Sequence, residues 1–264
     1  MSADRPFAGP APPADLFYAS RDHGKAHPER HLASFRGILQ ADAYSGYKGL
    51  YETERSPGPV TQALCWSHVR RKFFELADIA ANVRRGKNAT PISLIALEAV
   101  KRIDAVFDIE RQINGCDAGE RRQVRQQQSE ALVADLEVWL RSERTRLSRH
   151  APVAQAIDYM LRRWPAFTRF LNDGRICLTN NAAERALRGL ALGRKSWLFA
   201  GSERGAERAA VMYTLIATAK LNDVDPQAWL ADVLGRIADQ RQNSLPDILP
   251  WNWALEHEQR KIAA

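Results

Sequence analysis

The 264 residues are 45% hydrophobic and 26% charged, enough apolar material for a real core and too little charge excess for wholesale disorder. No segment approaches the ~20 uninterrupted apolar residues of a membrane helix, and the opening MSADRPFAGPAPPADLF has no basic-then-apolar signal pattern. The 38 Lys and Arg outnumber the 31 Asp and Glu, giving +7 and a pI near 9.5, a balance that fits a polyanion partner such as DNA and equally a merely soluble basic protein.

Along the chain, Asp15–Ser20 (DLFYAS) is a short apolar, aromatic run that predicts a strand. Gly37–Asp42 (GILQAD) predicts a second, ending on a carboxylate. AYSGYKGLY predicts a loop with a short helix, and Ser56-Pro57-Gly58-Pro59 a firm turn. Val60–Trp66 predicts a third strand, leading into the helical composition of HVRRKFFELADIAANVRR. From roughly Thr90 to Asp173 the apolar spacing is helical throughout: Ile92, Ile95, Ala96, Ala99, Ile103 and Val106, then Leu132, Leu136, Trp139 and Leu140, then Ile157, Met160, Leu161, Trp164 and Leu171. Pro165 should kink or split the last of these, and Gly174 should close it in a left-handed cap. Ile176–Thr179 reads as short and extended. Asn180-Asn181 opens a further helix, RKSWLFAG (194–201) reads as a strand or loop, Ser202 can cap the next helix, and Asp225-Pro226 starts another. LPDILPWNW is too proline-rich for regular structure.

Three places can carry chemistry. Asp42 stands at a strand end, where a carboxylate is held rigidly enough to bind metal, although an ordinary turn-starting Asp is the simpler reading. In Asn180-Asn181-Ala182-Ala183-Glu184-Arg185, Glu184 lies three positions after Asn181 and fits a capping box; a helix-borne metal ligand is the alternative. Cys65 and His68 have the spacing of half a zinc site, but the four ligands of a structural zinc are not there, and a buried strand cysteine is the competing reading. Arg70, Arg71 and Lys72 follow beside Phe73 and Phe74. A second basic cluster surrounds Glu184: Arg185, Arg188, Arg194, Lys195, Arg204 and Arg208. Either cluster suits phosphate contact, and either can be a solvated helix face. Three sparse cysteines, Cys65, Cys116 and Cys177, argue for a reducing, cytoplasmic compartment.

LQADAYSGY, ALCWSHVRRKFFEL, TNNAAERALRGLALGRKSWLFAGSERGAERAA and the LPWNW tail resemble the insertion-sequence-sixty-six family of bacterial DDE transposases over nearly the whole chain. The resemblance implies an α/β fold with an RNase H-like core, incomplete at its N-terminus, and a large helical insertion. Its parts would be residues 1–84, the later strands with the second catalytic Asp; 85–175, the insertion; and 176–264, helical and bearing the catalytic Glu. It places Asp42 on the second catalytic Asp and Glu184 on the catalytic Glu, both binding Mg²⁺ or Mn²⁺. It implies insertion-sequence ends and target DNA as partners, Arg70, Arg71, Lys72, Arg185, Arg188, Arg194, Lys195 and Arg204 as DNA contacts, and a homo-oligomer. Cys65 and His68 match a Cys-x-x-His element of several DDE groups. The family's first catalytic Asp would precede this sequence, and Asp4, Asp15 and Asp22 are no natural replacements. The expectation is therefore DNA cleavage and strand transfer by family, with little activity, poor solubility or an edge-covering dimer for these residues alone; a non-catalytic DNA-binding remnant is the alternative.

Overall fold

The computed structural model describes residues 12–77, 93–197 and 200–262, with side chains left out at 194–197 and 259–262. Among these, 28–182 form one compact unit, and 12–27 together with 183–262 form another. The chain is mostly helical with a small parallel sheet. No helix among the described residues is long and apolar enough to cross a membrane.

In the first unit, β1 (Ile38–Ala41) and β2 (Thr61–Leu64) pair in parallel, with Ile38 opposite Thr61 and Ala41 opposite Leu64. Parallel neighbours need a crossover. Here it is a 3₁₀ helix (Ser45–Tyr51) followed by the turn at 56–59. Arg55 fastens this crossover to the chain before β1, its guanidinium donating to the carbonyls of Leu32, Ala33, Phe35 and Gly58. The short α1 (Ala26–His31) lies upstream. Both strands expected around Asp42 and Cys65 are thus present, although Trp66 already belongs to α2 (Trp66–Ala77). The Trp66 backbone N–H, an orphan donor at that helix start, is satisfied by the Leu178 carbonyl, and its indole donates to Phe167 O at 2.9 Å.

The helical stretch follows: α3 (Leu94–Gln112), capped by the Ser93 side chain; α4 (Ala118–Val124), capped by Asp117; a π-helical turn (Arg125–Ser129); α5 (Glu130–Thr145); α6 (Pro152–Leu161); and α7 (Trp164–Thr168). Pro165 sits in the first turn of α7, so the expected interruption is a split after Leu161. Ala63, Leu64, Trp66, Val69 and Phe73 share one core with Ile103, Val106, Leu136, Leu140, Ile157 and Met160. Trp66, fully buried, meets Phe167 and Phe170 edge-on at 6.0 and 5.7 Å. Gly174 is not in the left-handed conformation expected of it. It is a glycine because a Cβ there would lie 1.7 Å from the Ala118 carbonyl oxygen. Ile176–Thr179 is irregular, with Ile176 and Leu178 buried.

The other unit contains α8 (Asn181–Trp197), α9 (Glu203–Leu221), α10 (Pro226–Arg236), two 3₁₀ turns (Ile237–Asp239 and Gln242–Ile248) and α11 (Pro250–Ile262). The expected caps are both made: Ser202 Oγ accepts from Gly205 N, and the Asp225 carboxylate accepts from Gln227 N and Ala228 N. RKSWLFAG is helical through Trp197 rather than extended, and Leu198 and Phe199 lie outside the described residues. LPDILPWNW is also regular where irregularity was expected, because Pro250 occupies the first helical position, where its missing N–H costs nothing. Ala219, Val224, Trp229, Val233 and Ile248 form this unit's core, with Trp253 packed against it.

Asp15–Ser20 is not a strand. Asp15 N–H and Phe17 N–H donate to the hydroxyls of Thr218 and Thr214 on α9 at 3.1 and 2.9 Å. Two residues of extended chain span about the rise of one helical turn, so alternate amides meet threonines four apart. Phe17 stacks obliquely on Tyr213, while Leu16 and Tyr18 are exposed, with no sheet involved.

Candidate functional site

Asp42 follows β1 directly, so the sheet fixes its backbone. Its Oδ1 accepts the Tyr44 N–H at 3.2 Å, the local turn that short Asp side chains make. Tyr44 meets Tyr47 edge-on at 5.3 Å and lies over Gly46, where a Cβ would come within 2.2 Å of the ring. A side chain at 46 would therefore displace the Tyr44 ring.

Asp42 opens onto a shallow cleft of about 330 Å³ lined by Asp42, Ala43, Tyr44, His68, Arg71, Lys72, Glu75 and Tyr159. Four of these lie on α2 at helical spacing. The i, i+3, i+4, i+7 series 68, 71, 72, 75 faces the cleft, while Trp66, Val69, Phe73 and Ala77 face the core. Arg70 lies on neither face: it makes a bidentate pair with Asp104 of α3 at 2.6 and 2.9 Å and sits over the Phe74 ring. Cys65 and His68 also part company. Cys65 is buried, its N–H extending the ladder to Ala41 O, whereas His68 lines the cleft.

Glu75 and Tyr159 are cleft residues that the sequence reading missed. Glu75 was legible, four residues on from Arg71. Tyr159 was not, since it comes from α6, far along the chain. Its ring has Lys72 Nζ over it and the Arg163 guanidinium near it, each 4.6 Å from the centroid. Burial is the main reason that the acidity of its hydroxyl is weakened.

Glu184 is exposed on α8, in the other unit. That helix begins at Asn181, so Glu184 is its fourth residue, one place beyond the capping-box position expected with Asn181 as cap. Arg185 and Arg188 are exposed on the same helix, and Arg204 on α9. The side chains of Arg194 and Lys195 lie outside the described residues.

Among the described residues, no group of three or more His, Cys, Asp and Glu is placed to hold a metal ion. Asp42 nonetheless fits Mg²⁺ or Mn²⁺ as one ligand of a larger set. It offers hard carboxylate oxygen at an open cleft, and such ions keep several waters. The neighbouring cations Arg71 and Lys72 suit the phosphate that such a metal would bind.

Residues 1–208 match the family described as Transposase IS66 family, and residues 214–251 match the IS66 C-terminal element. Among curated relatives, the uncharacterized protein y4hP of Sinorhizobium fredii is 58% identical over 251 residues, covering 95% of this chain and 46% of its own. The uncharacterized proteins y4jD and y4qI of the same organism are each 38% identical, covering 96% and 95% of this chain and 48% and 45% of theirs. The chain thus spans about half the length of the curated relatives it matches. No solved structure matches.

Proposed function

Since the chain belongs to the IS66 family of transposases, we propose that it works in DNA transposition and that Asp42 and Glu184 are two carboxylates of its phosphoryl-transfer site. The observation that carries this is Asp42 at the carboxyl end of a parallel strand, opening on a cleft that Arg71 and Lys72 share. Ligands of α/β sheets bind beyond the carboxyl ends of the strands. An RNase H-like core is the fold reading that accommodates a parallel pair of this kind, a helix directly after its second strand and a helical stretch before the Glu-bearing helix.

Divalent magnesium or manganese, when bound, would activate the attacking oxygen and stabilise the leaving one. The chain's own residues hold and orient. Asp42 presents one carboxylate oxygen while Tyr44 N–H holds the other. Arg71 and Lys72 hold the phosphate backbone in register. Exposed Arg185, Arg188 and Arg204 add sequence-independent attraction around Glu184.

A polypeptide of these residues should bind terminal-repeat DNA with steep salt dependence, and any strand transfer with Mg²⁺ or Mn²⁺ should fall about 100-fold or more in Asp42→Asn, since ~1 Å of metal misplacement costs ~100-fold in rate. Robust strand transfer that survives Asp42→Asn overturns the assignment of Asp42. Absence of salt-sensitive DNA binding overturns the transposase reading.

A further inference from the structure

Residues 13–21 run along α9, within one unit, in the direction opposite to the helix. The Asn222 side-chain amide donates to the Pro13 carbonyl at 2.9 Å. The Thr218 hydroxyl serves both backbone groups of Asp15, accepting its N–H at 3.1 Å and donating to its carbonyl at 3.2 Å. The Thr214 hydroxyl accepts the Phe17 N–H at 2.9 Å, and the Phe17 ring lies 5.9 Å from that of Tyr213. Arg21 pairs with Glu203 at the start of the helix. The helix partners are four residues apart and the residues they hold are two apart. Nine residues of extended chain and the helix, Glu203–Leu221, each cover about 27 Å, so the register keeps step along the whole of α9. Four and eight residues before Thr214 the same face continues as Ala210 and Ala206, both half-buried and small enough to leave room for a chain. Burial alternates along the segment. Pro13, Asp15, Phe17 and Ala19 are half-buried, whereas Ala14, Leu16, Tyr18 and Ser20 are exposed, Leu16 by 67%. This is the period of an extended chain with one face covered. In a sheet a second strand would read its backbone; here the side chains of a helix do so.

We propose that this face of α9 is a binding site for an extended peptide, filled here by the chain's own residues 13–21. Asn222, Thr218 and Thr214 read the backbone at alternate residues, while Phe17 and Arg21 set the register through Tyr213 and Glu203. The side chains at 14 and 16 point away and are not selected. The segment is therefore a strap, a ligand joined covalently to its own site. It can leave that site and be replaced by a separate peptide with the same inward-facing residues. The proposal is independent of the reading of Asp42 and Glu184.

Two measurements on the full chain test this. The first is amide hydrogen exchange by NMR, read at Asp15 and Phe17. Thr218→Val keeps the bulk and removes the hydroxyl. Because a strap opens as a unit, it should speed exchange at both amides by about fivefold, the equivalent of one modest hydrogen bond. Leu16→Ala should leave both within about twofold. The Trp229 indole N–H, which donates to Ile248 O in the core of this unit, should keep its protection in each variant and reports that the fold is intact. The second uses the full chain with a specific-protease site introduced into the exposed loop at 22–25. After cutting, the N-terminal piece should still co-elute with the remainder on gel filtration. An excess of a synthetic peptide of residues 12–22 should displace it, and the same peptide with Leu16→Ala should do so equally well. A peptide N-methylated at Asp15 and Phe17 keeps every side chain and loses both donors. It should need about 25-fold more for the same displacement, about fivefold for each lost bond. A severed piece that separates unaided, a piece that excess peptide cannot displace, or an N-methylated peptide that competes as well as its parent overturns the proposal. So does exchange at Asp15 and Phe17 that ignores Thr218→Val.

Discussion

Gln40 pairs with the backbone of Cys177 as a neighbouring strand would: its side-chain amide donates to the Cys177 carbonyl, and its Oε1 accepts the Cys177 N–H at 3.1 Å. One side chain on β1 thus satisfies both backbone polar groups of a residue in an irregular, half-buried segment. Gln40→Leu keeps the bulk and removes both partners, leaving a donor and an acceptor unsatisfied. At about 1–3 kcal/mol for each such group, and less where water can enter, the variant should lose on the order of 2 kcal/mol in urea unfolding. Gln40→Glu keeps the acceptor and loses the donor, so it should fall between the two.

Arg125 is fully buried and pairs with Glu110 through two hydrogen bonds of 2.6 and 2.8 Å, while also donating to the Phe170 and Asp173 carbonyls. Arg121 adds a bond to Ile176 O. The chain between α7 and Cys177 is therefore held by guanidinium groups in place of a strand ladder. Removing one member of a buried pair leaves the other charge uncompensated, so Arg125→Met should cost about 3–5 kcal/mol. The double variant Glu110→Leu with Arg125→Met should cost less than the sum of the two singles. A double-mutant cycle measured by denaturant unfolding gives the coupling, and strict additivity would show that the pair does not act as a unit.

Local signals carried the sequence reading a long way. The strand before Asp42, the strand before Trp66, the Ser202 and Asp225 caps and the break near Pro165 all follow from a few neighbouring residues, and all are present. Two of the failures depended on partners distant in sequence. DLFYAS has the composition of a strand, but its amides are taken by Thr214 and Thr218, about two hundred residues away. Gly174 looks like a cap signal in sequence and is in fact demanded by the Ala118 carbonyl. At the candidate site, Asp42 and the cations of α2 were legible as types. That Arg70 turns to Asp104 while Arg71 and Lys72 face the cleft was not, because three adjacent cations look alike until the core face of their helix is known.

Burial, aided by the charges of Tyr47 and Asp42, pushes the Tyr51 hydroxyl up to about 12. An unfolded tyrosine titrates near 10. The folded state thus holds this proton more tightly. The stability that this contributes is complete below pH ~10 and is lost as pH rises from there through about 12. Other groups also titrate in that range, so the comparison is with Tyr51→Phe. The stability difference between wild type and variant should be flat from pH 7 to 9 and should shift against the wild type above pH 10. A difference that stays constant to pH 12 would show that Tyr51 titrates as an ordinary exposed phenol.

Arg70, Arg71 and Lys72 are adjacent in sequence and should behave oppositely. Removing a cation that neutralises one phosphate lowers the slope of log affinity against log salt by about 0.9 on duplex DNA. Arg71 and Lys72 line the Asp42 cleft, so Arg71→Ala and Lys72→Ala should each flatten the slope by roughly that amount, with unfolding stability changed little at the exposed Arg71. Lys72 also lies over Tyr159, so its removal should cost somewhat more stability, about 0.5–1 kcal/mol. The Arg70 guanidinium is engaged by Asp104, bracing α2 against α3. Arg70→Ala should therefore leave the salt slope unchanged while lowering stability by up to about 1 kcal/mol, the usual worth of a partly exposed pair. Titrations of the three variants at several salt concentrations, alongside urea unfolding, separate these roles. A flattened slope for Arg70→Ala at unchanged stability would place that side chain on DNA and remove it from the brace.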